Sequence, residues 1–516
     1  MPASCLQTVF AITHPDQSIT PEGFNAITEM EMLPDLCVDS GGVNFDNESM
    51  IRFHNTYSGK IEPFEPIKPG KVKLYTCGPT VYDHQHIGNY RAYVFEDLLK
   101  KFLRFMGYSV IHVMNITDID DKTIKGANER GVTLQEYTKD YIDSFFADLE
   151  TLKIDKADHY PRATEFIQEM AQMVKGLHDK GFAYEKDGSY YFDISKFPNY
   201  GRLSKINTDA LRTGSRVDSD EYEKEGANDF ALWKARKENE PYWETEIGQG
   251  RPGWHIECSV MSSKYLGESF DIHCGGVDNI FPHHENEIAQ SEALTGKPFV
   301  RYWMHCQHLI RDGEKMSKSL GNTTSIQELT TEHGADPMAI RYMLLTTHYR
   351  KILNFTKELL EQAHASLRRI QDFVYELESR TFVEGENPEV SDLIVGTKQA
   401  FAEGLSDDLN ISTALTAFFD MIRKVNIWMT QDKICDKDVK PLLSCTRSIN
   451  SVLGVLPEER EESLPDEILK KIEAREEARR QKDFALADRI REELLGLGLQ
   501  LEDTKDGTRW KIIQRR

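Results

Sequence analysis

Cysteine is scarce in this chain: eight residues among 516, at Cys5, Cys37, Cys77, Cys258, Cys274, Cys306, Cys435 and Cys445, with no C-x-x-C pair. That spacing excludes a disulfide scaffold and predicts reduced thiols. Basic side chains are missing before Arg52, which excludes a secretory n-region and an Arg-rich transit peptide. No apolar run approaches the ~18 residues of a membrane span. Internal repeats and low-complexity tracts are also lacking. The expected address is therefore cytoplasmic, with no membrane partner.

What is there describes a soluble globular protein, with 39% hydrophobic, 29% charged and 10% aromatic residues and a mean hydropathy of -0.52. At about 150 residues per domain the length implies three or four modules. Net charge is -22, from 63 basic and 85 acidic residues, but it is uneven. Residues 1–50 carry eight acids and no Lys or Arg, whereas Lys470 to Arg516 carry thirteen bases and ten acids. This balance excludes a general nucleic-acid binder, which needs a broad positive surface, so an RNA partner must be held by local patches.

Residues 1–49 lack periodicity and form an acidic extension, expected to be disordered. The alternating Lys71 to Cys77 reads as a strand, the run from Tyr90 to Phe105 as a helix, and Val110 to Met114 as a second strand. Residues 71–115 thus predict a β-loop-α-β unit of a parallel sheet. Helical patterns follow to about residue 185, then short strands and polar loops to 250, predicting an insertion that splits the sheet. Beyond Leu353 nearly everything has helical period, interrupted near Val383 to Val390 and Leu456 to Asp466.

Two motifs carry chemistry. His86-Ile87-Gly88-Asn89 sits where the first strand hands over to the first helix, where outward N–H groups and the helix dipole favour phosphate. Lys315-Met316-Ser317-Lys318-Ser319, framed by Gly313 and Gly321, offers two lysines and two hydroxyls to a triphosphate and its departing pyrophosphate. A metal site is also legible. His283 and Glu287 share a helix face, and the distant thiols Cys77 and Cys258 complete an S2NO donor set for zinc. His273, Cys274, His284 and Glu285 compete for the same role.

With these two signatures in this order, the chain resembles the class I aminoacyl-tRNA synthetases with their HIGH and KMSKS motifs. Asp229 to Lys234, Gly250 to Cys258, Phe281 to Gln290 and Cys77 to Asp83 make it similar to the cysteinyl-tRNA synthetase family from about Ile51 to the C-terminus. The resemblance implies an α/β fold: a Rossmann-like parallel-sheet catalytic domain split by an insertion, then an α-helical bundle and a small C-terminal anticodon-binding domain. The expected boundaries are 50–160 and 251–305 for the catalytic halves, 161–250 for the connective insertion, 306–355 for the KMSKS loop and stem-contact region, 356–460 for the bundle and 461–516 for the anticodon module.

The resemblance further assigns Cys77, Cys258, His283 and Glu287 to one Zn2+ per chain. Thr117, Trp254, His273 and Asp278 are expected to line the cysteine and adenylate pocket. His86, Asn89, Lys315 and Lys318 are expected to act catalytically, with His86, Asn89 and Lys318 on the ATP phosphates. Asn89 stands where the family more often has His. Phe484, Asp488, Asp503 and Trp510 are expected to read the anticodon by stacking and hydrogen bonding, the alternative for Phe484 being a core position of an amphipathic helix. The implied activity is ATP-dependent activation of L-cysteine, with Mg2+, and its transfer to tRNA(Cys) by a monomer. Because a soft thiolate binds zinc well and a serine hydroxyl poorly, no editing domain is required. Two rival readings are a cysteine ligase of the mycothiol pathway acting on an amino-sugar, and an inactive RNA-binding relative.

Overall fold

The structure is a computed structural model that describes residues 50–206, 229–316, 321–456, 466–497, 499–504 and 507–512. The acidic segment 1–49 and the loop residues Ser317, Lys318 and Ser319 lie outside the described residues.

Four parallel strands form the central sheet, in the spatial order Val300–Cys306, Phe270–Gly276, Lys71–Thr76, Ser109–Met114. The expected β-loop-α-β unit is its first half: Lys71–Thr76, the helix Ile87–Phe105 and Ser109–Met114. Gly107, at φ 88°, lets the chain reverse from helix to strand in a conformation that side chains resist. Alternation along the strands sends Leu74, Ile272 and Met304 to one face and Tyr75, Val113 and Trp303 to the other. The first face packs on Tyr90, Val94, Leu98 and Phe102 of the helix, all buried. Each such side chain contributes roughly 1.5–3 kcal/mol when fully buried.

The chain leaves this sheet after Met114 and returns to it at Phe270. Between them lie the helices Asp121–Arg130, Leu134–Thr151 and Ile167–Asp179 and a five-stranded antiparallel sheet. Lys71–Thr76 and Phe270–Gly276 are neighbours whose crossovers run to opposite sides, so the crevice beyond their carboxyl ends is a topological switch point, where ligands of open α/β sheets bind.

After the sheet, the helix Pro337–Thr346 joins a bundle made of Lys357–Ser379, Pro388–Ser406, Ile411–Thr430 and Asp436–Leu453. Its apolar faces continue the core that packs the first helix. Asp408 and Leu409, both left-handed at φ 56° and 55°, form the corner between the second and third bundle helices. There Asp408 accepts bonds from the His54 N–H (2.8 Å), the Tyr349 hydroxyl and Arg350 Nε (2.6 Å), tying the bundle to the strand Arg52–Asn55. The last module holds the helices Asp466–Arg480 and Phe484–Gly496 and the hairpin Leu499–Thr504 with Gly507–Ile512, around a small core of its own.

Candidate active site and metal centre

The switch point brings Cys77, Cys258, His283 and Glu287 together, with their ligand atoms all within 4.8 Å of one another. Cys77 follows the first sheet strand directly, Cys258 lies on the helix Trp254–Leu266, and His283 and Glu287 flank the start of the helix Glu285–Thr295. Sequence separation therefore hides a cluster that topology assembles. Cys258, His283 and Glu287 are essentially inaccessible to solvent.

Electrostatics shape this cluster as a cation site. Burial alone would push Glu287 up, yet His273 and His283 hold its carboxyl down to about 2. Burial opposes ionisation of Cys258 too, but the Cys77 thiol and His283 lower it to about 6. Burial disfavours protonated His283, while Cys258 and Glu287 raise it to about 10. Cys77 is pushed well up, chiefly by burial. Glu287 Oε2 lies 2.9 Å from His273 Nε2, whereas Oε1 is buried without a hydrogen-bond partner and 3.1 Å from His283 Nε2. Two sulfurs, an imidazole and an orphaned carboxylate oxygen suit zinc.

Several competitors for the metal are resolved by position. Cys274 is packed in the hydrophobic core. Glu285 turns away and accepts from the N–H groups of Gly201 and Ser204, each at 2.8 Å, clamping the insertion's loop. His273 and His284 stay close, forming a second grouping with Cys77 and Glu287 within the same 4.8 Å. His284 Nε2 lies 3.2 Å from Cys77 Sγ and its Nδ1 2.8 Å from His305 Nε2, and the other ring nitrogen of His305, Nδ1, lies 2.8 Å from Thr56 Oγ1.

Among the expected pocket residues, Trp254 stacks on His283 with centroids 4.2 Å apart. Thr117 is buried, and its hydroxyl donates to Glu257 Oε2 at 3.1 Å. Burial pushes the Glu257 carboxyl well above the usual carboxylate range. His273 is fully buried between Glu287 and the face of Trp303, at 4.6 Å. Asp278 folds over the bare backbone of Gly276, where a β-carbon would meet its Oδ1 at 2.3 Å. His255, His305, Thr56 and Trp303 were not foreseen. His255 Nδ1 lies 3.0 Å from His283 Nδ1, and only the tandem His283-His284 hinted at such an imidazole cluster.

The two signature segments meet at the start of the helix Ile87–Phe105. His86 caps the helix: its Nδ1 accepts from the Gly88 N–H at 3.1 Å, which places the ring proton on Nε2. Asn89 Oδ1 accepts from the His86 N–H at 3.1 Å, closing the capping box and leaving its amide N–H groups as donors. The Ile87 N–H donates to the Thr324 carbonyl at 2.9 Å, so the chain just beyond the second signature is stitched to the first. A cleft of about 360 Å³ opens between them, lined by His84, Gln85, His86, Asp148, Thr323 and Ser325 among others. Lys315 is exposed on the short strand Glu314–Lys315; Lys318 lies outside the described residues.

In the C-terminal module Phe484 is 61% exposed at the first position of its helix, which overturns the alternative of a core phenylalanine there. An amphipathic helix shields only its apolar stripe, and here the buried stripe is Ala487, Ile490 and Leu494, which leaves Phe484 outside it. Asp488 is exposed one turn along. Asp503 and Trp510 lie on the paired hairpin strands.

Comparison with known proteins gives three family profiles in chain order. The profile described as "tRNA synthetases class I (C) catalytic domain" matches residues 63–365, "DALR domain" matches 400–457, and "Cysteinyl-tRNA ligase anticodon binding domain" matches 461–510. Cysteine–tRNA ligase of Chlamydia muridarum is 50% identical over 473 residues, covering 89% of this chain and 99% of that protein. Its counterpart from Solibacter usitatus is 47% identical over 463 residues, covering 89% and 99%. Among solved structures, Mycobacterium tuberculosis methionyl-tRNA synthetase in complex with methionyl-adenylate has a TM-score of 0.54 at 16% identity, covering 75% of this chain and 90% of that one. Agrobacterium radiobacter LeuRS in a ternary complex gives 0.55 at 12%, covering 76% and 84%. These structural likenesses establish the fold alone.

Proposed function

Because the chain belongs to the cysteinyl-tRNA synthetase family, the class I ligases that activate L-cysteine with ATP and transfer it to tRNA(Cys), we propose that Cys77, Cys258, His283 and Glu287 are its zinc ligands and that the neighbouring helix start is its ATP site. The observation that carries this is the buried S2NO cluster with an orphaned carboxylate oxygen, at the switch point of the sheet. His273 supports the assignment by holding the other Glu287 oxygen, as an outer partner orients a ligand. When bound, zinc supplies a soft Lewis acid that takes the substrate thiolate and disfavours the serine hydroxyl.

The remaining work falls to the protein. Trp254, Thr117 and Asp278 surround the place where the amino acid lies, and Trp254 also fixes the ring of His283. His86, through Nε2, and the amide of Asn89 donate to ATP phosphate oxygens at the positive end of the helix. Lys315 and Lys318 neutralise the charge that moves onto pyrophosphate as the cysteine carboxylate attacks the α-phosphorus in line. The bond to pyrophosphate breaks and cysteinyl-adenylate remains. The terminal ribose hydroxyl of tRNA then attacks the carbonyl and AMP departs. Mg2+ accompanies ATP on its own phosphates.

Phe484, Asp488, Asp503 and Trp510 are assigned to the anticodon, and the boundaries given above divide the chain into working modules. The tRNA profile over 461–510 favours this reading over an amino-sugar ligase. No described helix is long and apolar enough to cross a membrane. The reading takes the enzyme to be a cytoplasmic monomer, which sedimentation and fractionation would check. The deciding experiment is cysteine-dependent ATP–pyrophosphate exchange with serine as control, with zinc content measured on the same sample, followed by charging of tRNA(Cys). Exchange with no bound zinc, or equal exchange with serine, would sink the assignment.

A further inference from the structure

Arg341, on the helix Pro337–Thr346, is fully buried and binds acceptors from three separate elements. Its Nε donates to the carbonyl of Leu453, the last residue of the last bundle helix, at 2.7 Å. Its Nη1 donates to the carbonyls of Leu152 and Lys153, at the end of the helix Leu134–Thr151, each at 3.1 Å. Its Nη2 pairs with Asp97, on the helix that begins at His86. Gly454, left-handed at φ 65°, lies flat against the guanidinium, where a β-carbon would come within 3.0 Å of it.

One cation thus caps two helix C-termini, whose last carbonyls have no intrahelical partners, and neutralises a carboxylate on a third helix. As a stability device this is poor, since apolar residues of similar volume commonly serve as well. What the planar fork adds is direction: its donors fit only one mutual placement of these elements. The placement matters because the bundle's last helix is where the chain turns toward the C-terminal module. Just past it, the N–H groups of Val455 and Leu456 donate to Asn450 Oδ1 at 2.9 and 2.8 Å, so the direction of exit is held too.

We propose that Arg341 is a positioning residue for the tRNA step: it fixes the end of the bundle, and with it the departure of the anticodon-binding module, relative to the helix whose first turn faces ATP. Adenylate formation needs only the catalytic domain and does not use this register. Charging requires the anticodon and the acceptor end to be engaged together, and does.

The test compares the full-length parent with Arg341→Lys, Arg341→Met and the pair Asp97→Asn with Arg341→Met, in which Lys101, the other cation on Asp97, keeps its ion pair with Asp155 at 3.2 Å. Each is assayed for cysteine-dependent pyrophosphate exchange and for charging of tRNA(Cys) bearing its own or a one-base-substituted anticodon. In the pair variant exchange is expected to stay within about twofold of the parent, while KM for tRNA rises about tenfold, a coupling of ordinary size. The anticodon substitution is expected to cost proportionally less in the variants than in the parent, which a merely structural role would not produce. Lysine, keeping the charge without the fork, is expected to fall between. Equal losses in exchange and charging, unchanged charging, or additive costs of the enzyme and anticodon substitutions would overturn the proposal. If Arg341→Met alone fails to fold, the pair and the lysine variant give the same readouts.

Discussion

Met316 rests on Gly88. A β-carbon on that glycine would lie 2.9 Å from Met316 Cε and 2.9 Å from the ring of His86. The second signature is therefore seated on the first through a side chain that is itself almost wholly buried, and the space at Gly88 sets the distance between the two.

Gly88→Ala is expected to displace both neighbours by a few tenths of an ångström or more. Misplacement on the ångström scale costs on the order of 10²-fold in rate, so the exchange rate should fall by about that factor with little change in thermal stability. Exchange at the parental rate would show that the contact between the signatures is incidental.

Cys258→Ser should reduce bound zinc well below one per chain and raise KM for cysteine. Loss of even an outer partner typically costs 10–100-fold in metal affinity, so loss of a ligand should exceed roughly that range. His273→Ala, which frees the second Glu287 oxygen, should fall within it. Elemental analysis and titration with a chelator read both. Full zinc content and unaltered cysteine affinity in Cys258→Ser would move the metal to the grouping of Cys77, His273, His284 and Glu287.

Glu96 is buried in the first helix, with only the Thr76 hydroxyl, among the described residues, near enough to offset the burial of its carboxyl. Burial raises its pKa well above the ordinary value of 4.5. The folded state then holds a proton that the unfolded state releases, so stability falls as pH rises from about 4.5 through the folded pKa. Glu96→Gln removes that loss. The gain in Tm of the variant over the parent should be small near pH 5 and larger near pH 8, measured by calorimetry; a gain independent of pH would refute the titration.

Phe484→Ala should leave folding and pyrophosphate exchange intact, because the ring is exposed. Stacking of one base on an aromatic contributes about 1–3 kcal/mol, so KM for tRNA(Cys) should rise roughly 5- to 150-fold. Charging at the parental KM would remove Phe484 from the anticodon contacts.

Local pattern made the first half of the sheet readable, because a period of two followed by a period of 3.6 is written in Lys71 to Phe105 itself. The metal quartet needed the family resemblance, since spacing alone could not separate Glu287 from Glu285, whose side chains leave the same short helix in different directions. Arg341 was not legible at all. It sits in the apolar run from Met338 to Leu345 and looks like a misplaced charge until Asp97, 244 residues earlier, is seen beside it. The linked imidazoles of His284 and His305 were hidden for the same reason, because a hydrogen-bond partner supplied by another strand leaves no periodic trace. Asn89 stands where His is more often found, and its carbonyl proves to complete the helix cap.

The return of the chain to its central sheet at Phe270 has a consequence for synthesis. Glu287 is made about 210 residues after Cys77, and at ~5–20 residues per second that interval lasts ~10–40 s. For most of it the nascent polypeptide carries a thiol whose eventual partners do not yet exist, Cys258 being made 181 residues after Cys77. Neither the parallel pairing of Lys71–Thr76 with Phe270–Gly276 nor a complete set of metal donors can form until the insertion has been traversed. The four candidate metal donors are complete only at the very end of that period, because three of them lie within its last 30 residues.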